Sequence, residues 1–270
     1  MKRLSAGIIG CGTIGRVIAE AIVNKFADAI KLSGVCDIDE KKALELVDTV
    51  KTGAAVHKLE ELIKASDLVI EAASGSVSYE IAKKAVEAGK DVMVMSTGGL
   101  LGKPDIFGIA AGKGAKVYLP SGAVCGLDGA KSAMMANVKE VVLTTRKPPK
   151  GLTGAPFIKE KKIDLDSLQE ETVIFDGTAE EAVKGFPKNV NVSATLSFCT
   201  LGPAKTRVRI VTSPDFTSNS HEIEIKGDFG RLKAVTENAP MPGNPKTSYL
   251  AGLSAVATLK NIVRGSVVGN

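Results

Sequence analysis

Three glycines near the N-terminus have the spacing of a turn that can bind a dinucleotide. The segment Gly10-Cys11-Gly12-Thr13-Ile14-Gly15 follows the apolar run AGII and precedes a helical pattern. In such a turn the first glycine permits tight bending, the second lets a pyrophosphate approach the backbone, and the third lets helix and strand pack closely. The N–H groups at the helix start favour negative charge. We therefore expect contacts to NAD or NADP from these residues: Gly10, Gly12, Thr13, Ile14 and Gly15.

An acidic residue lies where it can select the cofactor. Asp37 comes 22 residues after Gly15, at the end of the predicted strand IKLSGVCD. A carboxylate there accepts hydrogen bonds from the ribose of NAD and repels the ribose phosphate of NADP. Lys41 and Lys42 follow closely and could soften that preference, so both cofactors remain open. The alternative interpretation is a structural glycine turn followed by a solvated aspartate.

Small residues follow two further predicted strands, in the segments EAASG and STGG. The ends of parallel strands meet at one edge of a sheet, and small side chains there leave room for a cofactor. We expect cofactor contacts from four of these residues: Ala72, Ala73, Ser74 and Thr97. The alternative is that the Ser and Thr residues only cap the helices that follow, because both are common N-cap residues.

Histidine is the side chain best suited to proton transfer near neutral pH, and the chain has two. His57 precedes a short charged helix, which favours a surface or capping role. His221 shares one face of a predicted strand with Ile223 and Ile225, where a histidine is often an ordinary core residue. Since it is the only histidine of the second predicted domain, we expect His221 to be the catalytic group.

Cys125 offers a competing chemistry, because a thiol at a helix N-terminus can act as a nucleophile. Together with His221 it would suggest a phosphorylating aldehyde dehydrogenase. The segment SGAVCG lacks the Ser-Cys-Thr-Thr surroundings typical of that class. We therefore expect Cys125 to be a small packing residue.

The elements that position these residues form two predicted domains. Residues 1–121 alternate strand-like and helix-like segments, which predicts an α/β, Rossmann-type, doubly wound parallel sheet. Residues 122–244 contain the alternating runs TRVRIVTS, SHEIEIKG and GRLKAVTEN, which predict a second α+β domain with a mainly antiparallel sheet for substrate binding and oligomerisation. Residues 148–171 are predicted to form a long loop, and residues 245–270 a C-terminal helix that packs back on the first domain.

Composition excludes several function classes. The chain of 270 residues has 35 basic and 30 acidic residues without a basic block, and only 4% aromatic residues, which disfavours nucleic-acid binding. No apolar stretch approaches the length of a membrane span. Four cysteines without a CxxC pair disfavour a metal site and fit a reducing cytoplasm.

Six segments together resemble the L-aspartate dehydrogenase family: GIIGCGTIG, PSGAVCGLDG, VVLTTRKPP, FPKNVNVSATLS, HEIEIKGDFG and ENAPMPGNPKTSYLAGLS. The resemblance implies oxidative deamination of L-aspartate with NAD or NADP. Iminosuccinate would form, and water would convert it to oxaloacetate and ammonia; in some organisms the imine feeds NAD biosynthesis. The family's catalytic histidine falls on His221, and further cofactor contacts fall on Ala123 and Asn189. Paired sheets in such second domains predict a homodimer.

Two substrate carboxylates require cationic or amide partners. The candidates are Arg146, Lys147, Lys188 and Lys246, since an arginine fork or a lysine ammonium can bind a carboxylate. Asn191 and Thr195 lie in the helix-like segment after Asn189 and could line the same cleft. Two other functions remain open: another two-domain dehydrogenase of the homoserine dehydrogenase type, and a non-catalytic redox sensor that binds NAD(H).

Overall fold

The computed structural model describes residues 3–187 and 190–265, apart from the side chains of residues 245 and 246. The chain divides into two compact units. Among the described residues, the first contains the chain up to Pro120 together with residues 252–265, and the second contains Ser121–Ala251. In the described ranges, no helix has the length and apolar character needed to cross a membrane.

The first unit is built on a six-stranded sheet. Its strands are β1 (Leu4–Ile9), β2 (Ile30–Cys36), β3 (Ala55–Val56), β4 (Leu68–Glu71), β5 (Asp91–Val94) and β6 (Val117–Tyr118). They lie in the order β3-β2-β1-β4-β5-β6, and all neighbours are parallel, which confirms the predicted Rossmann-type sheet. The order reverses between β1 and β4, and nucleotides bind at the carboxyl ends of strands beside such a reversal.

Helices connect these strands: α1 (Thr13–Lys25), α2 (Glu40–Val50), α3 (Leu59–Ala65), α4 (Ser78–Glu87) and α5 (Ile106–Gly112). The core of the unit joins Ile8 and Ile70 from the sheet with Ile18 from α1, and all three are fully buried. Ala255 and Leu259, from the C-terminal end of the chain, belong to the same core. This unit therefore buries apolar residues from both ends of the sequence.

The second unit is built on a five-stranded sheet. Its strands are β7 (Val138–Lys147), β8 (Thr172–Thr178), β9 (Thr206–Thr212), β10 (Asn219–Gly227) and β11 (Gly230–Asn238), in the order β11-β10-β7-β9-β8. Only the pair β7 and β9 is parallel, which confirms the predicted mainly antiparallel sheet. A short hairpin, β12 (Pro240–Met241) and β13 (Asn244–Ser248), precedes the last helix.

Five helices complete the described chain: α6 (Leu127–Ala133), α7 (Pro156–Glu160), α8 (Ala179–Gly185), α9 (Asn191–Phe198) and α10 (Tyr249–Arg264). Helix α9 is buried along most of its length although it is rich in hydroxyl residues. This is possible because Ser193, Thr195 and Ser197 donate to backbone carbonyls three or four residues earlier. The hydroxyls are thereby satisfied without water.

The predicted loop at residues 148–171 contains two helical segments, Pro149–Gly151 and α7. Pro156 occupies the first position of α7, where its missing N–H costs no hydrogen bond. Phe157 then packs against Phe175 and Phe186, with ring centroids 5.4 and 5.3 Å apart. The aromatic contact explains why this segment folds rather than forming an open loop.

The second sheet has one apolar face and one charged face. On the apolar face, alternate residues of β7 and β10 are buried: Val141, Leu143, Thr145, Lys147, His221, Ile223 and Ile225. On the charged face, ion pairs cross the strands and include Lys226 with Glu140 and Arg231 with Glu224. Because side chains alternate along a strand, adjacent residues such as Arg146 and Lys147 point to different faces.

Candidate functional site

The glycine turn is shaped differently at each glycine. Gly10 has a φ of 98°, and a Cβ there would lie 2.5 Å from the carbonyl carbon of Ala72. A Cβ at Gly15 would overlap the carbonyl oxygen of Gly10. At Gly12, apart from Gly12 itself and its two chain neighbours, no described atom lies within 4 Å of the Cβ position. The first and third glycines are therefore needed for packing, whereas the second borders open space of the kind a pyrophosphate would fill.

Helix α1 begins directly behind this open space. Gly12 is its N-cap residue, and the Gly12 carbonyl accepts from the N–H of Arg16 at 2.9 Å. The first turn holds no acidic side chain that would compete for the helix N-terminus. Gly12 is exposed, and Thr13 and Ile14 are half-buried. A dinucleotide phosphate fits this arrangement, because N–H groups and the helix dipole both favour an anion there.

Asp37 supports the turn as well as facing the expected ribose position. One carboxylate oxygen accepts from the N–H of Cys11 at 2.7 Å, and the other accepts from the N–H of Asp39 at 2.9 Å. Each oxygen retains a second lone pair for a ribose hydroxyl. The next residue, Ile38, is fully exposed. This apolar side chain, which the sequence interpretation overlooked, can pack against an adenine ring.

A buried carboxylate joins the other two strand ends. Glu71, at the end of β4, accepts from the N–H of Ala73 at 2.8 Å and from the N–H of Ser96 at 2.9 Å. Burial raises the pKa of Glu71, while these backbone hydrogen bonds oppose that change. Ala73 and Ser74 are exposed and Ala72 is half-buried, so all three are open to a ligand. Glu71 thus positions the loops after β4 and β5. The apolar segment DLVIEAAS did not indicate this role.

Thr97 differs from those three residues because its side chain is buried. It begins the single turn Thr97–Leu100 that follows β5. Its predicted cofactor role stays a prediction.

His221 lies on the apolar face of the second sheet, where 4% of the residue is exposed. Strand register places it opposite Thr145 on β7 and Thr236 on β11. The Nδ1 atom of His221 lies 3.0 Å from the hydroxyl of Thr145. This hydrogen bond fixes the ring and leaves Nε2 as the nitrogen for proton transfer.

The electrostatic surroundings keep His221 neutral. Burial, and secondarily the positive charge of Lys147, lower its pKa from 6.5 to about 3. Burial also lowers the pKa of Lys147 from 10.5 to about 8. At neutral pH the imidazole is thus unprotonated, while Lys147 remains mostly charged.

The carbonyl oxygen of Ala123 is held by the strand next to His221. The hydroxyl of Thr236 and the side-chain amide of Asn238 donate to it at 2.9 and 3.1 Å. The other amide atom, Oδ1 of Asn238, is buried and has no hydrogen-bond partner in the described part of the chain. Sequence reasoning did not single out Thr236 or Asn238, although their alternation with Ala234 on β11 places them on the face of His221.

Family models match both units of the chain. One described as "Aspartate dehydrogenase, C-terminal" matches residues 128–262, and one described as "Homoserine dehydrogenase, NAD binding domain" matches residues 10–120. L-Aspartate dehydrogenase of Methanosarcina mazei is 48% identical over 270 residues, which covers 98% of this chain and 99% of the relative. The chain belongs to the aspartate dehydrogenase family. Its resemblance to that family, expected from six segments, is confirmed.

Other members of the aspartate dehydrogenase family give the same result. L-Aspartate dehydrogenase of Bradyrhizobium diazoefficiens is 38% identical and covers 96% of this chain and 91% of its own. The crystal structure of aspartate dehydrogenase from Thermotoga maritima has a TM-score of 0.78 at 27% identity, and the match covers 99% of this chain and 100% of that one. A homoserine dehydrogenase from Thiobacillus denitrificans, with a TM-score of 0.65 at 14% identity, shares the fold alone.

Arg146 does not fit the substrate-binding role predicted for it in this family member. It lies on the charged face, opposite to His221, because it alternates with Thr145 and Lys147 along β7. Its guanidinium is 3.4 Å from a carboxylate oxygen of Glu222 and 3.6 Å from one of Glu171. These acids already neutralise the arginine, so we correct the prediction for Arg146.

The structure describes only some of the other residues that were predicted to bind substrate or cofactor. Lys188 and Asn189 lie outside the described residues, and the backbone of Lys246 lies in β13 while its side chain is not described. Asn191 is exposed at the start of α9. Thr195 is buried one turn later and donates to the carbonyl of Asn191 at 3.0 Å. Asn191 is thus the more accessible of the two for a ligand.

The remaining histidine and Cys125 do not form a second catalytic pair. The ring of His57 packs over Gly34, and its Nδ1 lies 4.0 Å from a carboxylate oxygen of Glu61. Cys125 is exposed, not packed as expected, and its thiol lies 3.6 Å from the carbonyl oxygen of Val235. Among the described residues, the thiol contacts this carbonyl oxygen rather than an imidazole, and the Nδ1 of His221 contacts the hydroxyl of Thr145.

The buried neutral His221 makes the stability of this family member sensitive to acid. Its folded pKa of about 3 lies below the unfolded value of 6.5, so the unfolded state binds more protons between these values and stability falls as the pH drops. From pH 7 to about pH 5, wild type should lose about 2 kcal/mol more unfolding free energy than His221→Gln. Urea unfolding of both proteins at the two pH values measures this difference. Equal losses would show that burial does not hold His221 neutral.

Proposed function

We propose that this protein oxidises L-aspartate to iminosuccinate with NAD or NADP, and that water then converts the imine to oxaloacetate and ammonia. The observation that carries the proposal is the buried, neutral His221 on the second sheet of an aspartate dehydrogenase family member. Oxidation removes a hydride from Cα and a proton from the amino group. His221, whose imidazole is unprotonated before the substrate binds, is the proposed acceptor for that proton.

The first unit supplies residues that fit the cofactor. The space at Gly12 would receive the pyrophosphate, Asp37 the adenosine ribose, and Ile38 the adenine. A cofactor held by these residues would supply the hydride acceptor for the substrate. The exposed loop residues Ala73 and Ser74 border the same sheet edge and are proposed as further contacts.

In the second unit, His221 is proposed as the general base in imine formation and as the group that activates water for hydrolysis. Thr145 is a positioning residue, because its hydroxyl fixes one ring nitrogen of His221 at 3.0 Å. General acid–base assistance of this kind contributes about 100- to 10,000-fold to a rate. Asn191, which is exposed at the start of α9, is proposed to face the substrate.

Absorbance at the NADH band tests the function directly. Purified protein is incubated with NAD or NADP and a panel containing aspartate, homoserine, alanine and glutamate. We expect a signal with aspartate and little with the others. A signal confined to homoserine would favour the alternative dehydrogenase, and tight NADH binding without turnover of any substrate would favour the redox sensor.

The cofactor preference depends on the charge of Asp37. Replacing it by asparagine keeps an acceptor for the N–H of Cys11 but removes the repulsion of a ribose phosphate. The ratio of kcat/KM for NADP to that for NAD should rise about 10-fold, the effect of one weakened charge interaction. Asp39→Asn is the matched control, because Asp39 is exposed in the same loop. An unchanged ratio in Asp37→Asn would remove Asp37 as the ribose partner.

We further propose a cytoplasmic homodimer. Support for the cytoplasm comes from four free cysteines, which suit a reducing compartment. Support for a dimer comes from the charged face of the second sheet, where Val173 and Val235 are about half exposed (46% and 49%). Pairing of two such faces would cover both valines. Light scattering after size-exclusion chromatography gives the mass, and a monomer would contradict the proposal.

A further inference from the structure

Lys147 is a buried cation beside the proposed catalytic histidine. It is the last residue of β7, two positions after Thr145, and therefore faces the same side of the sheet as Thr145 and His221. Only 9% of the residue is exposed. The earlier residues on this face of β7, Val141 and Leu143, are apolar and buried. Polarity on this face is thus concentrated at one end, where Thr145, His221 and Lys147 lie.

Lys147 differs from the other cations of the same sheet. Arg146 pairs with Glu222, Lys226 with Glu140, and Arg231 with Glu224. For Lys147, no carboxylate of the described residues lies within ion-pair distance of its ammonium group. Its positive charge contributes, after burial, to the lowered pKa of His221.

Lys147 is mostly buried, and an ammonium that loses part of its hydration without gaining a neighbouring anion is less stable than one in water. Burial alone lowers the pKa of Lys147 to about 8, so the group is still mostly charged at neutral pH. Such a charge is stabilised when an anion enters. The anion that the proposed reaction brings to this face is a substrate carboxylate.

We propose that the ammonium group of Lys147 binds one of the two carboxylates of the substrate, next to His221. The proposal rests on the proposed oxidation of aspartate. It assigns the anion-binding role to Lys147 instead of its neighbour Arg146. An incoming carboxylate would also offset the positive charge beside His221 and so favour proton uptake by the imidazole.

Lys147→Met tests this role, since methionine keeps the length and apolar stem while removing the charge. We expect the KM for aspartate to rise about 30- to 100-fold, the usual effect of deleting one partner of a buried charge pair. Lys147→Arg should recover part of the loss. The Kd for NADH should stay unchanged in both variants. Lys139→Met is the matched control on the same strand, because Lys139 is exposed and pairs with Asp228.

A binding measurement separates this proposal from the proposed function. Calorimetry of the NADH complex with succinate, a dicarboxylate that cannot react, should give clear binding in wild type and about 30-fold weaker binding in Lys147→Met. Equal succinate affinity in the two proteins would overturn the assignment, whether or not wild type oxidises aspartate. Absence of aspartate oxidation with intact, Lys147-dependent succinate binding would instead overturn only the reaction.

L-2-Aminobutyrate, which lacks the side-chain carboxylate, identifies the carboxylate that Lys147 binds. If aspartate alone loses kcat/KM in Lys147→Met, the side-chain carboxylate is bound. If kcat/KM falls equally for both substrates, the α-carboxylate is bound. If neither loses more than about threefold, the proposal is wrong. Thermal unfolding of each variant accompanies these measurements, and Lys147→Gln replaces Lys147→Met if the latter does not fold.

Discussion

Replacing His221 with alanine is expected to lower kcat with aspartate by about 100-fold or more. The substitution removes the only neutral imidazole on the apolar face of the second sheet, and with it the proposed acceptor for the amino proton. NADH should still bind with unchanged affinity, because the glycine turn and Asp37 lie in the other unit. Steady-state assays and NADH fluorescence titration measure the two quantities separately.

His57→Ala is the matched control for this experiment. His57 is the other histidine of the chain, and its ring is partly exposed beside Glu61. The kcat of His57→Ala should stay close to that of wild type. Near-normal turnover in His221→Ala would exclude His221 as the catalyst, and a loss of NADH binding together with turnover would point to misfolding instead.

Replacing Gly12 with valine is expected to weaken NADH binding by about 100-fold or more, because a side chain would occupy the space left for the pyrophosphate. The backbone of Gly12, with φ of −74°, accommodates an L-residue. Beyond its two chain neighbours, no other described residue has an atom within 4 Å of the new Cβ. The variant should therefore unfold at nearly the wild-type temperature. This combination of intact folding and lost binding distinguishes a ligand site from a structural turn.

Gly112→Val is the matched control for the glycine experiment. Gly112 also has no described atom within 4 Å of its Cβ position, but it ends α5 rather than beginning the helix behind the turn. The Gly112→Val variant should bind NADH with the affinity of wild type. If Gly12→Val bound NADH normally, the glycine turn would be structural only. Gly10→Ala, by contrast, should lower stability, because Gly10 has a φ of 98° and faces Ala72 closely.

The dinucleotide motif was predictable because its signals are local in sequence. The glycine spacing, the strand before it and Asp37 after it are all visible within the first 37 residues. The hydrogen bond from the N–H of Cys11 to Asp37 adds a structural role that spacing does not reveal. The role of Glu71 was not predicted either, because the sequence around an acidic residue in an apolar strand does not show which N–H groups will donate to it.

The site of the second unit was harder to predict because it depends on strand register. Arg146 and Lys147 are adjacent and chemically similar, yet a shift of one residue exchanges the faces of a strand. Only the pairing of Thr145 with His221, 76 residues away, shows that Lys147 shares the face of the histidine. The hydrogen bonds to the carbonyl oxygen of Ala123 likewise come from distant residues, Thr236 and Asn238, which lie 113 and 115 residues later.

The burial of Ala255 and Leu259 in the first core constrains the order in which the protein can mature on the ribosome. All six strands of the Rossmann sheet are synthesised before residue 120, but two of their packing partners come after residue 250. The nascent first unit therefore exposes part of its core until synthesis of the second unit is finished. A polypeptide that ends before Gly252 keeps every proposed cofactor-binding residue of the first unit, and we expect its exposed core to make it prone to proteolysis and aggregation.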